Sequence, residues 1–270
     1  AAGRRICRWP RRPWQRRYAV STLPVQIDKS KPTKPALSKS PTASWSNGNV
    51  VVTLTGGTDT GGSGVAGTEY SLDGTTWKTY ASPVTVSSTC TFSARTTDNA
   101  GNASETATLS IQIDKRRPTA PTISKSPNTE WHSGDVRVTL SGGTDTGGSG
   151  IVRREYSLDN KTWKTYSSAV AVTSSGTVYA RSVDGASNVS PVSQTDIKID
   201  RTPPSAPAPA KNPDKDWHNG DVRLTLSTGA DNESGIARLE VSIDGGSTWD
   251  TYTGPMTYSQ TTTVLSRAVN

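Results

Sequence analysis

Long apolar runs are missing from this chain. No stretch approaches the roughly 20 residues that cross a bilayer as a helix, and hydrophobic residues make up only 31% of the 270. Phenylalanine and methionine occur once each, and there are two histidines and two cysteines. Cys7 and Cys90 are too few to build a disulfide framework and are read as unpaired. His132 and His218 are too few for a metal cluster, and no Ser-His-Asp or Cys-His set is suggested. The chain is therefore read as a non-enzyme. An apolar signal core is also missing near residue 1, so an export signal would lie upstream of it.

Charge is unevenly placed. The net +7 suggests a polyanion partner until the bases are located. Residues 1–20 hold seven arginines and no acid, which leaves 23 bases against 23 acids in the rest. The body is neutral, so no nucleic-acid partner is expected for it, and a cationic membrane or nucleic-acid arm would have to be residues 4–17, "RRICRWPRRPWQRR". Residues 1–20 stand apart from everything that follows. They are read as a disordered segment or as an out-of-frame translation of a repeat end. Trp-Gln-Arg-Arg read one base on gives Gly, then Asn or Ser, then a small residue, much as the repeat would place there.

What the chain does have is a repeat. "IDKSKP" at 27–32 returns as "IDKRRP" at 113–118 and "IDRTPP" at 199–204, a step of 86 residues. Trp45, Trp131 and Trp217 keep that step, as do Trp77, Trp163 and Trp249, the tyrosines 80, 166 and 252, and Arg95, Arg181 and Arg267. The boundaries follow: residues 21–32 end an upstream repeat, and 33–118, 119–204 and 205–270 are three successive copies. The third is expected to lack its last strand. Its "STGADNESG", where the other two have "GGTDTGGSG", ends at Gly235, one residue short of the period set by Gly64 and Gly150, and "IDGGSTW" restores the register.

Within a copy the pattern is that of strands. "DVRVTLSGG" alternates Val136, Val138 and Leu140 with polar residues. "LDGT" and "LDNK" are tight-turn signals between short strands. About seven strands in 86 residues suit a two-sheet sandwich. The core set expected in the second copy is Val136, Val138, Leu140, Tyr156, Leu158, Val170, Val172, Val178, Ala180, Ile197 and Ile199. Strands of about ten residues make each repeat about 30–40 Å long, and the array is read as a monomeric rod.

"YSLDGTTWKTY", "FSARTTDNAGN" and "IDKRRP", recurring at fixed spacing, resemble the immunoglobulin-like repeats of bacterial secreted and surface proteins. The resemblance covers about 33–270. It implies an all-β fold of tandem immunoglobulin-like (fibronectin III-like) β-sandwiches in an extracellular or cell-surface protein. It also implies a role as stalk, spacer, adhesive module or accessory domain beside a secreted enzyme, with cell-wall or host glycans or surface proteins as partners.

Three groups of residues are worth following. "GGTDTGGSG" looks like a phosphate cradle, but no Gly-Lys-Ser/Thr leads into a helix after it, so it is read as a mobile loop. Asp59, Asp98, Asp114, Asp145, Asp200 and Asp231, with Asp28, gather in loops and at repeat junctions, where calcium could bind oxygen ligands. Lys29, Lys115 and Arg201 follow the junction aspartates, which points instead to ion pairs. Trp45, Trp131 and Trp217 each stand just before a strand and are the ligand candidates, for stacking on sugar rings. Read structurally, they would cap one sandwich end while Trp77, Trp163 and Trp249 cover the core edge.

Overall fold

The computed structural model describes residues 19–270. The described residues form 22 strands and no helix. Residues 4–17, and with them Cys7, lie outside the described residues. Strands recur at the period of the sequence, as at Val50–Thr55, Val136–Ser141 and Val222–Ser227. The chain divides into two compact units. One takes the chain up to Ser38 with Val52–Val84 and Thr91–Ser110, and the other Lys39–Val51, Thr85–Cys90 and Ile111–Asn270. The division cuts through the first repeat and keeps the second and third whole.

In the larger unit, the second repeat shows how the sequence makes a sandwich. Val170–Val172, Val136–Ser141 and Thr122–Ser126 form a three-stranded sheet in that order. Trp131–His132, Ser193–Ile199, Gly176–Asp184, Ile151–Ser157 and Lys164–Thr165 form a five-stranded one. Val136, Val138 and Leu140 are buried while Arg137, Thr139 and Ser141 are exposed, because successive side chains point to opposite faces. Facing them across the sandwich are Val178, Ala180, Ile197 and Ile199, with Tyr156 and Tyr166 packed at the margin.

Leu158 departs from the expected core. It is 54% exposed, because the strand stops at Ser157. From there Asp159 accepts hydrogen bonds from the Lys161 and Thr162 N–H groups at 2.8 and 2.7 Å, which turns the chain. Val170 is only half-buried, whereas Val183, absent from the expected set, is buried. The strand count is eight rather than seven. The extra one is Trp131–His132, two residues that pair in parallel with Lys198–Ile199. No periodicity can signal so short an element.

The third repeat, in the same unit, builds its first sheet from Ala208–Asn212, Val222–Ser227 and Met256–Tyr258. Its second sheet holds only Asp250–Thr251, Arg238–Ser242 and Leu265–Val269.

In the smaller unit, Val65–Ser71 pairs with Cys90–Asp98 so that Tyr70 stands opposite Ala94. The Tyr70 ring stacks on the fully buried Phe92 at 5.4 Å between centroids. The Leu54 N–H donates to the Tyr80 hydroxyl at 3.1 Å. Leu226 and Tyr252 repeat that bond at the same distance in the larger unit, which accounts for the in-register tyrosines. Cys90 forms no disulfide among the described residues.

Candidate functional site at the repeat junctions

The strands Ala107–Ile113 and Ser193–Ile199 each run into an aspartate, Asp114 and Asp200, and the structure puts that aspartate at the centre of a polar cluster. At the junction between the first and second repeats, Asp114 is 2% exposed. One of its carboxylate oxygens accepts the Arg116 N–H at 3.0 Å, and the other the Ser149 N–H at 3.1 Å and the Ser149 hydroxyl at 2.5 Å. Asp145 curls the glycine-rich loop around itself, accepting the N–H groups of Gly147 at 3.0 Å and Gly150 at 2.7 Å. Gly147 lies so close to Asp114 that a β-carbon there would overlap the Asp114 carboxylate. The glycines serve close approach at this point, and the loop is pinned by Asp145 rather than free.

Asp184, 1% exposed at the end of its strand, completes the group. Asn188 donates its backbone N–H to Asp184 at 2.7 Å, and its side-chain amide to Asp184 at 2.8 Å and to the Asp114 carbonyl at 2.9 Å. One amide thus ties the end of the first repeat to a turn of the second. The carboxylates of Asp114, Asp145 and Asp184 lie within 4.8 Å of one another. Burial pushes the Asp114 carboxyl up, but the Ser149 hydroxyl and the Arg116 and Ser149 N–H groups outweigh it and hold the group below the usual carboxylate range.

The smaller unit carries the same arrangement. Asp28, Asp59 and Asp98 lie within 4.8 Å of one another. Asn102 donates its amide to the Asp28 carbonyl at 3.1 Å and to Asp98 at 2.8 Å. In the third repeat the third acid is replaced. Asn270 stands 86 residues after Asp184 and donates its amide to Asp200 at 3.2 Å, to Asp231 at 3.0 Å and to the Thr202 carbonyl at 3.2 Å. Asp200 is held well below the usual carboxylate range, first by the Ser234 hydroxyl and then by the Thr202 N–H. Glu233 is pushed up beside it, chiefly by a hydrogen bond with Asp200.

All six sequence candidates, Asp59, Asp98, Asp114, Asp145, Asp200 and Asp231, therefore fall in these clusters. Asp184 escaped the sequence reading although it stands one period after Asp98, and the period alone was enough to find it. The expected ion pairs at the junctions do not form. Lys115 turns away to the Asn49 side chain and the Ser87 carbonyl, at 2.8 and 2.9 Å. Arg201 reaches Asp135 and the Thr173 carbonyl. Backbone N–H groups already occupy the aspartates, and alternation along the extended chain points the next side chain the other way.

The tryptophans divide into two kinds. Trp163 does not cover the core edge. The Arg181 guanidinium lies 4.0 Å from its ring centroid and bonds Glu155 at 2.7 Å, as does Arg153. Arg181 stands opposite Glu155 in the sheet, on the face away from Val178 and Ala180. Arg95 over Trp77 at 4.1 Å and Arg267 over Trp249 at 4.0 Å repeat the stack. Each guanidinium is thus shared by a ring and a carboxylate, a way of fixing a sheet surface.

Trp45, Trp131 and Trp217 have unequal surroundings. Trp45 is half-buried and its ring lies against Gly148 of the next repeat. Trp131 is half-buried with the Lys198 ammonium 5.4 Å from its centroid. Trp217 is 88% exposed. His132 is buried, with Nδ1 3.1 Å from the Thr129 hydroxyl, while its carbonyl accepts the Asp200 N–H at 2.9 Å. Its place is structural.

Fold and junctions together define a class: an all-β array of tandem immunoglobulin-like, fibronectin III-like sandwiches. No protein-family model and no curated relative matches the chain. Among solved structures it is similar to fibronectin(III)-like modules of Clostridium thermocellum CbhA. The identity is 12% and the TM-score 0.35, over 61% of this chain and 94% of that one.

Proposed function

We propose that the chain is a non-catalytic structural spacer of an extracellular bacterial protein, with adhesion as a further role. The observation that carries this reading is the junction at Asp114. Repeats one and two meet through a buried carboxylate, a buried turn and a bridging asparagine amide. A joint built this way transmits position from one sandwich to the next, as a spacer must. The test is limited trypsin digestion of the whole chain. Cleavage after Lys115 and Arg116 is expected to be slow in the wild type and at least ~10-fold faster in Asn188→Ala, because proteolysis follows local opening. Equal rates would remove the reading.

A calcium ion at the two triple-aspartate junctions is a second reading, supported by the contrast with the third. Three carboxylates within 4.8 Å repel one another, and calcium takes carboxylate and carbonyl oxygens. Where Asn270 replaces the third acid, its amide N–H groups bond the other two carboxylates instead. Calcium at ~100 times its dissociation constant is expected to stabilise the chain by ~2.7 kcal/mol, seen as a rise in melting temperature that chelator reverses. A melting curve indifferent to both would dismiss it.

An accessory glycan-binding array would need the three tryptophans as one repeated platform. Trp45 and Trp131 are half-buried, which leaves Trp217 to support it. The cationic-arm reading rests on residues 4–17 alone, outside the described residues.

A further inference from the structure

Repeats two and three carry a positive charge on the outer face of the second sheet that repeat one lacks. Glu155, 7% exposed, accepts the Nε–H of Arg153 at one carboxylate oxygen and that of Arg181 at the other, each at 2.7 Å. Glu240 does the same with Arg238 at 2.6 Å and Arg267 at 2.7 Å. Repeat one has Gly67 where the others have Arg153 and Arg238, so Arg95 alone bonds Glu69 and that pair is neutral.

Burial pushes the Glu155 carboxyl up, but the Arg153 and Arg181 guanidiniums outweigh it and hold it below the usual carboxylate range, so it stays ionised. Two guanidiniums against one carboxylate leave one positive charge in excess. A guanidinium presents five N–H donors in a planar fork. Arg153 and Arg181 each spend Nε on Glu155, and among the described residues their terminal amino groups meet no acceptor. Their side chains are 43% and 26% exposed, so those groups are open to a second anion. A carboxylate fits the end of a guanidinium through two parallel N–H bonds.

The indole beside them adds a contact of another kind. Arg181 lies 4.0 Å from the Trp163 ring centroid and covers one face of that half-buried ring. Trp249 is half-buried too, with Arg267 at 4.0 Å. The remaining surface of each ring is apolar and flat, which suits the C–H face of a sugar ring. Tyr179 and Gln194 stand opposite one another on the same face, two residues along from Arg181 or roughly 7 Å. Asp196, the other acid among the outward strand residues, accepts the Thr177 hydroxyl at 2.7 Å. Thr177 is four residues from Arg181, roughly 13 Å, which exceeds the screening length at physiological salt.

We propose that the Arg–Glu–Arg sets of repeats two and three bind the carboxylate of a uronic acid unit in an acidic polysaccharide, whose ring stacks on Trp163 or Trp249. The excess charge takes the carboxylate and the indole takes the pyranose. A neutral glycan satisfies only the ring, and an acidic peptide only the charge. Repetition of the set gives one polymer two points of attachment. An acidic glycan partner belongs to the adhesive role proposed above and leaves the Asp114 joint aside, so the trypsin test and the one below fail separately.

Affinity electrophoresis of the whole 270-residue chain through gels containing polygalacturonate tests this. Fully methyl-esterified polygalacturonate supplies the same rings without charge, and polyglutamate supplies charge without rings. Residues 1–20 carry seven arginines that attract any polyanion, so the readout is the difference between variants. The double substitution Arg153→Gln, Arg238→Gln should weaken binding to polygalacturonate by about 10-fold or more, and to polyglutamate by less than about 2-fold. Arg137→Gln, Arg223→Gln removes the same charge from exposed positions of the other sheet and should change neither. Arg153 and Arg238 are exposed, and circular dichroism of their variant is expected to match the wild type. In the unsubstituted chain, polygalacturonate should protect Trp163 and Trp249 from oxidation by N-bromosuccinimide, mapped by peptide mass, and the methyl ester should not. Equal losses in the two double variants would overturn the proposal. So would an equal loss in polyglutamate, binding to the methyl ester as strong as to the acid, or oxidation of Trp163 and Trp249 at an unchanged rate.

Discussion

Ile197→Ala is expected to destabilise the second sandwich by about 2–5 kcal/mol, the range for truncating a large aliphatic side chain in a core that cannot collapse around the space. Ile197 is 1% exposed and meets the inward faces of both sheets. It stands on the last strand of its repeat, opposite Gly176. A domain of this size has about 5–15 kcal/mol to lose, so one substitution removes a large share of it. Differential scanning calorimetry should show one transition moving to lower temperature. Amide exchange should place the loss in Val136–Ser141 and Gly176–Asp184 and leave the first repeat protected. A shift below ~1 kcal/mol would mean that the core relaxes into the vacated space, against the packing described.

Asp114→Ala is expected to cost about 2–3 kcal/mol at neutral pH. It removes the acceptor of the Ser149 hydroxyl and of the Arg116 and Ser149 N–H groups, and a buried donor left without a partner costs ~1–3 kcal/mol. The pH dependence follows from the direction of its shift. The folded protein holds Asp114 below the ordinary carboxylate range, so ionisation of this group favours folding. Its contribution is complete above that range and is lost as pH falls through the lower, folded value. The stability gap between wild type and variant should therefore be constant from neutral pH down to about pH 5 and narrow below about pH 4. Chemical denaturation at a series of pH values measures it. A gap independent of pH down to pH 2 would show that the carboxylate charge contributes nothing. Gly147→Ala strikes the same joint from the other side, since the new β-carbon would overlap the Asp114 carboxylate and push the loop off it.

Both variants depend on features that differ in how far sequence alone exposes them. The period of 86 residues, the all-β class and the inward set Val136, Val138, Leu140, Val178, Ala180, Ile197 and Ile199 were legible because alternation and self-similarity are local signals, written in residue order. The acidic candidates were legible as a composition of loops. What they do together was not. Asp114 and Ser149 are 35 residues apart and Asp114 and Asn188 are 74 apart, and only the closed sandwich brings them within hydrogen-bond distance. Leu158 shows the reverse case, an apolar residue in correct alternation whose strand had already ended in an aspartate turn.

By itself the sequence determined the repeat, the strands and the faces they bury, because those follow from the two-residue period of an extended chain. It also determined that the excess charge belongs to residues 1–20. Only the tertiary structure decided that the junction aspartates are held by backbone N–H groups and asparagine amides rather than by the neighbouring lysines and arginines. It alone decided that Trp163 stacks under Arg181, and that Trp217 is open where Trp45 is covered. These are questions of which distant groups meet, and that is settled when the sheets close, not by the order of residues along a strand.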